Sequence, residues 1–153
     1  MTSPETESLP PGTRPPGRTG RRAEVPVVAV VAVGGALGAT ARYAAALWWP
    51  ARTGGFPWST FWVNAVGCAA IGVFMVLVTE LRAVPRLARP FFGTGVLGGF
   101  TTFSTYAVDI QRLSGSGHLG TAAAYLATTV VAALAAVWAG ATVTRRFLTW
   151  RRR

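Results

Sequence analysis

Hydrophobic residues form four long runs that contain no charged side chain, at 25–41, 58–79, 90–108 and 119–144. Each run approaches or exceeds the roughly 17–25 residues that a membrane-spanning helix needs. The charged residues are confined almost entirely to the two ends and to the short connections between the runs. The pattern therefore predicts an all-α membrane domain at 25–144, with four transmembrane helices at about 25–47, 59–79, 91–112 and 120–144.

The middle of the third run does not have the composition of a plain membrane helix. Residues 98–106 have the sequence Gly-Gly-Phe-Thr-Thr-Phe-Ser-Thr-Tyr. Adjacent glycines weaken a helix, and hydroxyl side chains compete for its backbone hydrogen bonds. In hydrocarbon, an interrupted backbone persists only where protein buries it or where it lines a cavity or an ion site. The stretch predicts a third helix broken at mid-membrane with a chemical role, or else a Gly/Thr-rich helix-packing face.

The 153-residue chain is 51% hydrophobic, with a mean hydropathy of +0.40 and a net charge of +10. All fifteen basic residues are arginines, and one of them, Arg42, lies within the first predicted span. Twelve others form three clusters that four spans place on one side of the membrane: Arg14, Arg18, Arg21, Arg22; Arg82, Arg86, Arg89; and Arg145, Arg146, Arg151, Arg152, Arg153. Only Arg52 and Arg112 fall on the opposite side.

This asymmetry predicts that both termini are cytoplasmic and that the protein is a multi-pass component of the cell membrane. Residues 1–24 are predicted to be a disordered, Pro/Arg-rich cytoplasmic tail, and 145–153 a basic cytoplasmic tail. The clustered arginines fit contact with membrane lipid rather than with nucleic acid. A cleaved signal peptide is disfavoured, because three further spans follow the first apolar run.

Several polar and small residues within the spans suggest contacts between helices. Gly34 and Gly38 form a Gly-x-x-x-Gly face that permits close approach of another helix. Arg42 and Asp109 lie at similar depth near the outer ends of their spans, so we hypothesise that they pair. The alternative for Arg42 is that it reaches outward to the interface. Asn64 in the second span either links helices or coordinates something polar.

The residue inventory excludes several kinds of chemistry. The sequence holds no Ser/His/acid set, metal-ligand spacing or phosphate loop, so the protein is not expected to be an enzyme. One cysteine, Cys68, permits no intrachain disulfide. The absence of Glu, Lys and His from the span interiors argues against a small multidrug-type exporter, which needs a titratable group at mid-depth.

What remains in the spans is a set of hydrogen-bond donors and aromatic rings. Thr60 and Asn64 share one helix face, and Ser104 and Thr105 lie in the unusual stretch. The edge of an aromatic ring is electropositive and can face an anion, whereas the carbonyls of a broken helix suit a small cation. These residues by themselves predict an ion-conducting helical bundle without specifying the ion.

The predicted spans contain three longer motifs, Gly34-Gly35-x-x-Gly38-Ala39-x-x-Arg42-Tyr43, Thr60-x-x-Val63-Asn64-x-x-Gly67 and Gly98-Gly99-Phe100-Thr101-Thr102-Phe103-Ser104-Thr105. Together these motifs resemble the CrcB/Fluc family of fluoride-specific ion channels. They occur in the right order and on the right spans, and the match covers most of residues 34–125. The resemblance implies an antiparallel dimer of four-helix subunits with two narrow fluoride pores. Such a dimer lowers cytoplasmic fluoride by passive efflux.

The resemblance also implies roles for individual residues. A structural sodium ion, which is not transported, would lie at the dimer centre on the backbone carbonyls of Gly98 and Thr101. Asn64 would donate to fluoride, and Phe103 and Tyr106 would supply the pore-lining rings. Further polar positions along the fluoride path would be Thr60, Ser104, Thr105 and Tyr125. Tyr106 departs from the family pattern, which usually has Phe there, and its hydroxyl would add a donor or acceptor to the pore.

The charge asymmetry conflicts with one implication of the resemblance. An antiparallel homodimer requires one sequence to insert in both orientations, so its arginine bias should be weak. A bias of twelve against two favours one fixed orientation, and hence a heterodimer with an oppositely oriented paralogue over a homodimer. In that case the chain is either a conducting subunit or a non-conducting scaffold for its partner.

Overall fold

The computed structural model describes residues 18–50, 52–80 and 84–151, with side chains from residue 24 onward. This part of the chain forms helices and contains no strand. In chain order the elements are α1 (Arg18–Trp48), α2 (Trp58–Glu80), a π-helix (Arg89–Leu97), α3 (Gly98–Phe100), α4 (Ser104–Gly115) and α5 (Leu119–Arg151). The all-α prediction is confirmed for the described residues.

Among the described residues, three helices are long and apolar enough to cross a membrane, at Glu24–Trp48, Trp58–Glu80 and Leu119–Arg151. They coincide with the first, second and fourth predicted spans. Helix α1 begins at Arg18, so it extends into the segment predicted to be a disordered tail. Lengthening a formed helix adds one hydrogen bond per residue fixed, which favours such an extension. The rest of the predicted N-terminal tail, 1–17, lies outside the described residues.

The third apolar run is divided into short pieces. The π-helix and α3 run without a gap to Phe100, and α4 begins at Ser104. At Thr101 the backbone is extended, with φ −73° and ψ 155°. The interruption thus occupies 101–103, inside the Gly/Thr-rich stretch that the sequence singled out.

Glycines allow the helices to approach closely. Helix α2 lies along α5, and α1 lies along the π-helix and α3. A Cβ atom built on Gly38 of α1 would overlap the Val96 carbonyl oxygen and lie 2.7 Å from the Phe100 amide nitrogen. A Cβ atom on Gly72 of α2 would lie 3.0 Å from the Ala141 nitrogen of α5. Both helix pairs therefore touch backbone to backbone.

A cluster of buried apolar side chains lies between α4 and α5. Tyr106, Leu113, Ala122 and Tyr125 form a buried cluster. In contrast, many large apolar side chains on the long helices are exposed, such as Trp138 at 72%. Such surfaces suit contact with lipid or with another helix rather than with water.

The close approach of α1 to the third run generates a prediction. The Gly38→Ala substitution places a methyl group against backbone that cannot rotate away, so we expect a loss of about 1–3 kcal/mol of stability. The matched control is Gly35→Ala, because a Cβ atom there meets nothing within 4 Å. Thermal unfolding of the purified protein in detergent measures both variants. Equal unfolding midpoints for the two would contradict this packing.

Candidate functional site

The interruption diverts two backbone amides from their helical partners. In an α-helix each N–H donates to the carbonyl four residues earlier. Here the Thr102 N–H donates to Oδ1 of Asn64 at 2.8 Å, and the Thr105 N–H donates to the side-chain oxygen of Thr102 at 3.1 Å. The carbonyls of Gly98 and Thr101, which lie four residues before these amides, therefore do not receive their helical hydrogen bonds.

Asn64 holds the interrupted backbone with both ends of its amide group. Besides accepting from the Thr102 N–H, it donates through Nδ2 to the Thr102 carbonyl at 2.9 Å. A primary amide has two N–H groups, so one N–H remains for another acceptor. The neighbouring Gly67 permits this contact, since a Cβ atom there would overlap the Thr101 methyl group.

Arg42 satisfies a third backbone group of the interruption. Its Nε atom donates to the Gly99 carbonyl at 3.2 Å. In a continuous helix this carbonyl would accept from the amide of Phe103. The guanidinium thus replaces a hydrogen bond that the interruption removes.

Asp109 binds to partners other than Arg42. Its Oδ2 atom accepts hydrogen bonds from Thr60 Oγ1 at 2.9 Å and from the Tyr125 hydroxyl at 3.4 Å. Asp109 is 8% exposed, and Tyr125 is fully buried. Within the described subunit, the hypothesis of an Arg42–Asp109 pair is therefore wrong. The physical reason is that each group meets a complementary partner on its own side of the bundle.

The two candidate pore rings differ sharply in exposure. Phe103 is 79% exposed, whereas Tyr106 is 8% exposed, and their ring centroids lie 5.8 Å apart. The Tyr106 hydroxyl donates to the Leu126 carbonyl of α5 at 2.9 Å. Its proton is thus engaged within the described subunit, so of the donor or acceptor that the resemblance implied, only the acceptor remains free there.

An open groove of about 260 Å³ lies beside the interruption. Its lining includes Asn64, Thr101, Thr102, Phe103, Tyr106 and Thr129. The Thr129 hydroxyl oxygen is buried and has no hydrogen-bond partner among the described residues. A buried hydroxyl without a partner is costly, which marks Thr129 as a residue beside the groove with hydrogen-bonding capacity left over.

The other predicted site residues lie next to the groove rather than along it. The Thr102 hydroxyl contacts Ser104 Oγ at 3.3 Å and donates to Thr105 Oγ1 at 3.1 Å. Thr60 and Tyr125 belong to the buried cluster around Asp109. That cluster connects to the groove through the Tyr106 ring, whose centroid is 5.2 Å from that of Tyr125.

A second cavity of about 520 Å³ opens at the loop end of α4. Arg52, Arg112 and Asp109 are among its lining residues. The guanidinium groups of Arg52 and Arg112 give this cavity a positive potential, which attracts anions. Asp109 thus belongs both to the lining of this basic cavity and to the cluster with Thr60 and Tyr125.

Thr102 was not among the predicted site residues, and the structure places it, together with Thr129, in the lining of the groove. Thr102 lies three residues before Thr105 at the start of α4, a spacing typical of a side chain that caps a helix N-terminus. Thr129 follows Tyr125 by one helical turn, so both share a face of α5. The spacing of Thr102 from Thr105 and that of Thr129 from Tyr125 can both be found in the sequence.

The donor set at the interruption suits an ion held by oxygen atoms of the backbone. The described residues contain no group of three or more His, Cys, Asp or Glu side chains that could hold a metal. The released carbonyls of Gly98 and Thr101 are hard oxygen donors, which suit a small hard cation such as sodium.

These features define a small multi-pass helical membrane protein whose polar site is built at a helix interruption. Residues 29–141 match the family model described as "CrcB-like protein, Camphor Resistance (CrcB)". The chain belongs to this CrcB family, as the motifs had suggested.

Named relatives support the assignment. The chain is 64% identical over 153 residues to "Fluoride-specific ion channel FluC 1" of Streptomyces coelicolor, covering 99% of each chain. It is 64% identical over 135 residues to "Fluoride-specific ion channel FluC 2" of Streptomyces avermitilis, covering 85% of each chain. "Fluoride-specific ion channel FluC 3" of the same organism is 44% identical over 125 residues, which are 82% of this chain and 61% of the relative. These names describe channels, in agreement with the expectation that the chain is not an enzyme.

The separate partners of Arg42 and Asp109 predict independent effects of mutation. Arg42→Gln removes a bond to Gly99, and Asp109→Asn weakens the cluster with Thr60 and Tyr125. Because the two share no partner, their effects on stability should add to within about 0.5 kcal/mol. A double-mutant cycle on unfolding of the purified protein measures this coupling. A coupling well above that value would mean that the two groups interact, for example across a dimer interface.

Proposed function

We propose that this protein is a fluoride-specific channel subunit that lowers cytoplasmic fluoride by passive efflux. The observation that carries the proposal is the groove at the interruption, where a 79% exposed Phe103 ring lies beside the amide of Asn64. The printed names of relatives at 64% identity support fluoride as the ion.

The chemistry of the groove suits a small anion. Within the part of the chain that the structure describes, Asn64 keeps one N–H group unused by the backbone, and the Thr129 hydroxyl has no partner. The ring edges of Phe103 and Tyr106 add a weak positive potential. Hydrogen-bond donors replace the water that fluoride sheds, while the ring edges attract it without strong binding. Permeation needs both entry and release, which this balance favours.

A dimer of four-span subunits accounts for the surfaces that one subunit leaves open. The π-helix, α3 and α4 together would form the remaining span, with the interruption at mid-membrane. In hydrocarbon, freed backbone and an open polar groove need cover from protein. In the proposal, a second subunit packs over the interruption in antiparallel orientation and closes the groove into a pore.

A sodium ion at the dimer centre is part of the proposal. The carbonyls of Gly98 and Thr101 from each subunit would hold it. The bound ion would offset the partial negative charge of carbonyls that no amide satisfies. It would be structural and would not be transported.

The partner subunit is proposed to be an oppositely oriented paralogue. The arginine bias of twelve against two supports one fixed orientation for this chain. FluC 2 and FluC 3 of one organism both match this chain, so related channel genes do coexist in one genome. A second candidate function, favoured by the same bias, is a non-conducting scaffold whose paralogue supplies the working pore.

Fluoride efflux from liposomes tests the channel proposal. Full-length protein, co-purified with its paralogue where it does not assemble alone, should release fluoride to an ion-selective electrode. Phe103→Ile removes the exposed ring edge and should reduce flux at least about tenfold, which corresponds to roughly 1.4 kcal/mol. The control Phe147→Ile alters a ring on α5 that contacts Arg151, and it should conduct normally. Flux retained by Phe103→Ile within the pair would instead indicate the scaffold function.

The orientation proposal has a separate test. A protease-sensitive tag at either terminus should be protected from external protease in intact cells and cleaved once the cells are opened. The twelve clustered arginines resist translocation, so we expect at least about tenfold excess of one orientation. Equal labelling from both sides would contradict the heterodimer and favour the homodimer.

A further inference from the structure

We infer that Asn64 and Thr102 are positioning residues that keep two backbone carbonyls free for the cation at the helix interruption. The inference rests on the proposed function, because the sodium ion belongs to that proposal. It assigns Asn64 a second task besides offering an N–H group to the groove, and it gives a role to Thr102.

The Thr102 side chain accepts a hydrogen bond from the Thr105 amide, which would otherwise donate to the Thr101 carbonyl. The Thr105 N–H has the Thr101 carbonyl as its regular helical acceptor. Instead it donates to Thr102 Oγ1 at 3.1 Å, and that hydroxyl donates onward to Thr105 Oγ1, also at 3.1 Å. Without the hydroxyl, the amide would turn back to the Thr101 carbonyl, and α4 would extend by a residue.

The Asn64 side chain likewise keeps the Gly98 carbonyl free of its helical hydrogen bond. The Thr102 N–H has the Gly98 carbonyl as its helical acceptor, but it donates to Asn64 Oδ1 at 2.8 Å. The second bond, from Nδ2 to the Thr102 carbonyl at 2.9 Å, fixes the plane of the amide group. Two side chains thus protect two carbonyls, the same pair that the sodium proposal requires.

One consequence is a physical link between the cation and the groove. The Asn64 group that holds the Gly98 carbonyl free also lines the groove, as does Thr102. A cation on the carbonyls favours the interrupted backbone, which in turn orients the remaining Asn64 N–H. Sodium would therefore set the geometry of the groove without entering it.

The test measures sodium-dependent thermal unfolding of the full-length protein, with its paralogue if required. Sodium is varied against N-methylglucamine at constant ionic strength. The unfolding midpoint of the wild type should rise with sodium. Thr102→Val, which keeps the shape and loses the hydroxyl, should need about tenfold more sodium for the same rise, because one competing hydrogen bond is regained by Thr101. Thr102→Ser restores the hydroxyl and should respond like the wild type.

Two further variants keep the test decisive. Asn64→Ser shortens the side chain, releases the Thr102 N–H to Gly98 and should weaken the sodium response to a similar extent, even if Thr102→Val does not fold. Thr128→Val is the control, because its exposed hydroxyl bonds to Ala124 of the same helix, and it should respond normally.

The outcomes separate this inference from the function on which it rests. Wild-type sodium dependence in Thr102→Val or Asn64→Ser overturns the positioning role while leaving the sodium site standing. A wild type that ignores sodium overturns both the cation proposal and this inference. Fluoride efflux from the same preparation judges the channel function independently of either result.

Discussion

Backbone hydrogen bonding in hydrocarbon is the constraint on which this structure depends. Each buried N–H or carbonyl without a partner costs several kcal/mol in a membrane, so an interrupted helix requires replacement partners. Asn64 binds the amide and carbonyl of Thr102, and Arg42 binds the carbonyl of Gly99. The Thr102 hydroxyl accepts a hydrogen bond from the Thr105 amide in the first turn of α4. Three side chains therefore maintain the interruption. The groove depends on them, because it lies beside the interrupted backbone.

The glycine motifs bring those side chains within reach. Gly38 lies one helical turn before Arg42 on α1, and it lets α1 touch the backbone at Val96 and Phe100. Gly67 lies three residues after Asn64 on α2, where it leaves room for the Thr101 side chain. Without such close approach, a short amide side chain could not span the gap between helices. Packing and polar chemistry are thus encoded together in each motif, the small residue setting the distance and the polar residue satisfying the backbone.

The sequence predicted much of the fold, because apolar runs and charge-free length fix where membrane helices form. The interruption could also be located, since paired glycines and hydroxyl residues disfavour a continuous helix at 98–106. The Arg42–Asp109 pair failed because depth along a span says nothing about which way a side chain points around the helix. Thr102 was missed because the sequence shows it as one of several hydroxyl residues, and only the structure shows that its side chain accepts from the Thr105 amide. The Leu126 carbonyl that engages Tyr106 could not be found from a pattern, since it depends on how α4 and α5 pack.

The hydrogen bonds that maintain the interruption also limit how strongly the groove could hold an ion. Asn64 uses most of its hydrogen-bonding groups on the backbone, and the Tyr106 hydroxyl donates to the Leu126 carbonyl. The Thr102 hydroxyl donates to Thr105 of α4. What remains is one amide N–H, the Thr129 hydroxyl and the edges of two rings. In the proposed channel, so few donors would bind an ion weakly, and a conducting path requires weak binding because an ion held by a full cage of donors would not leave. The cost of maintaining the interruption and the weakness of the groove are therefore two results of one arrangement.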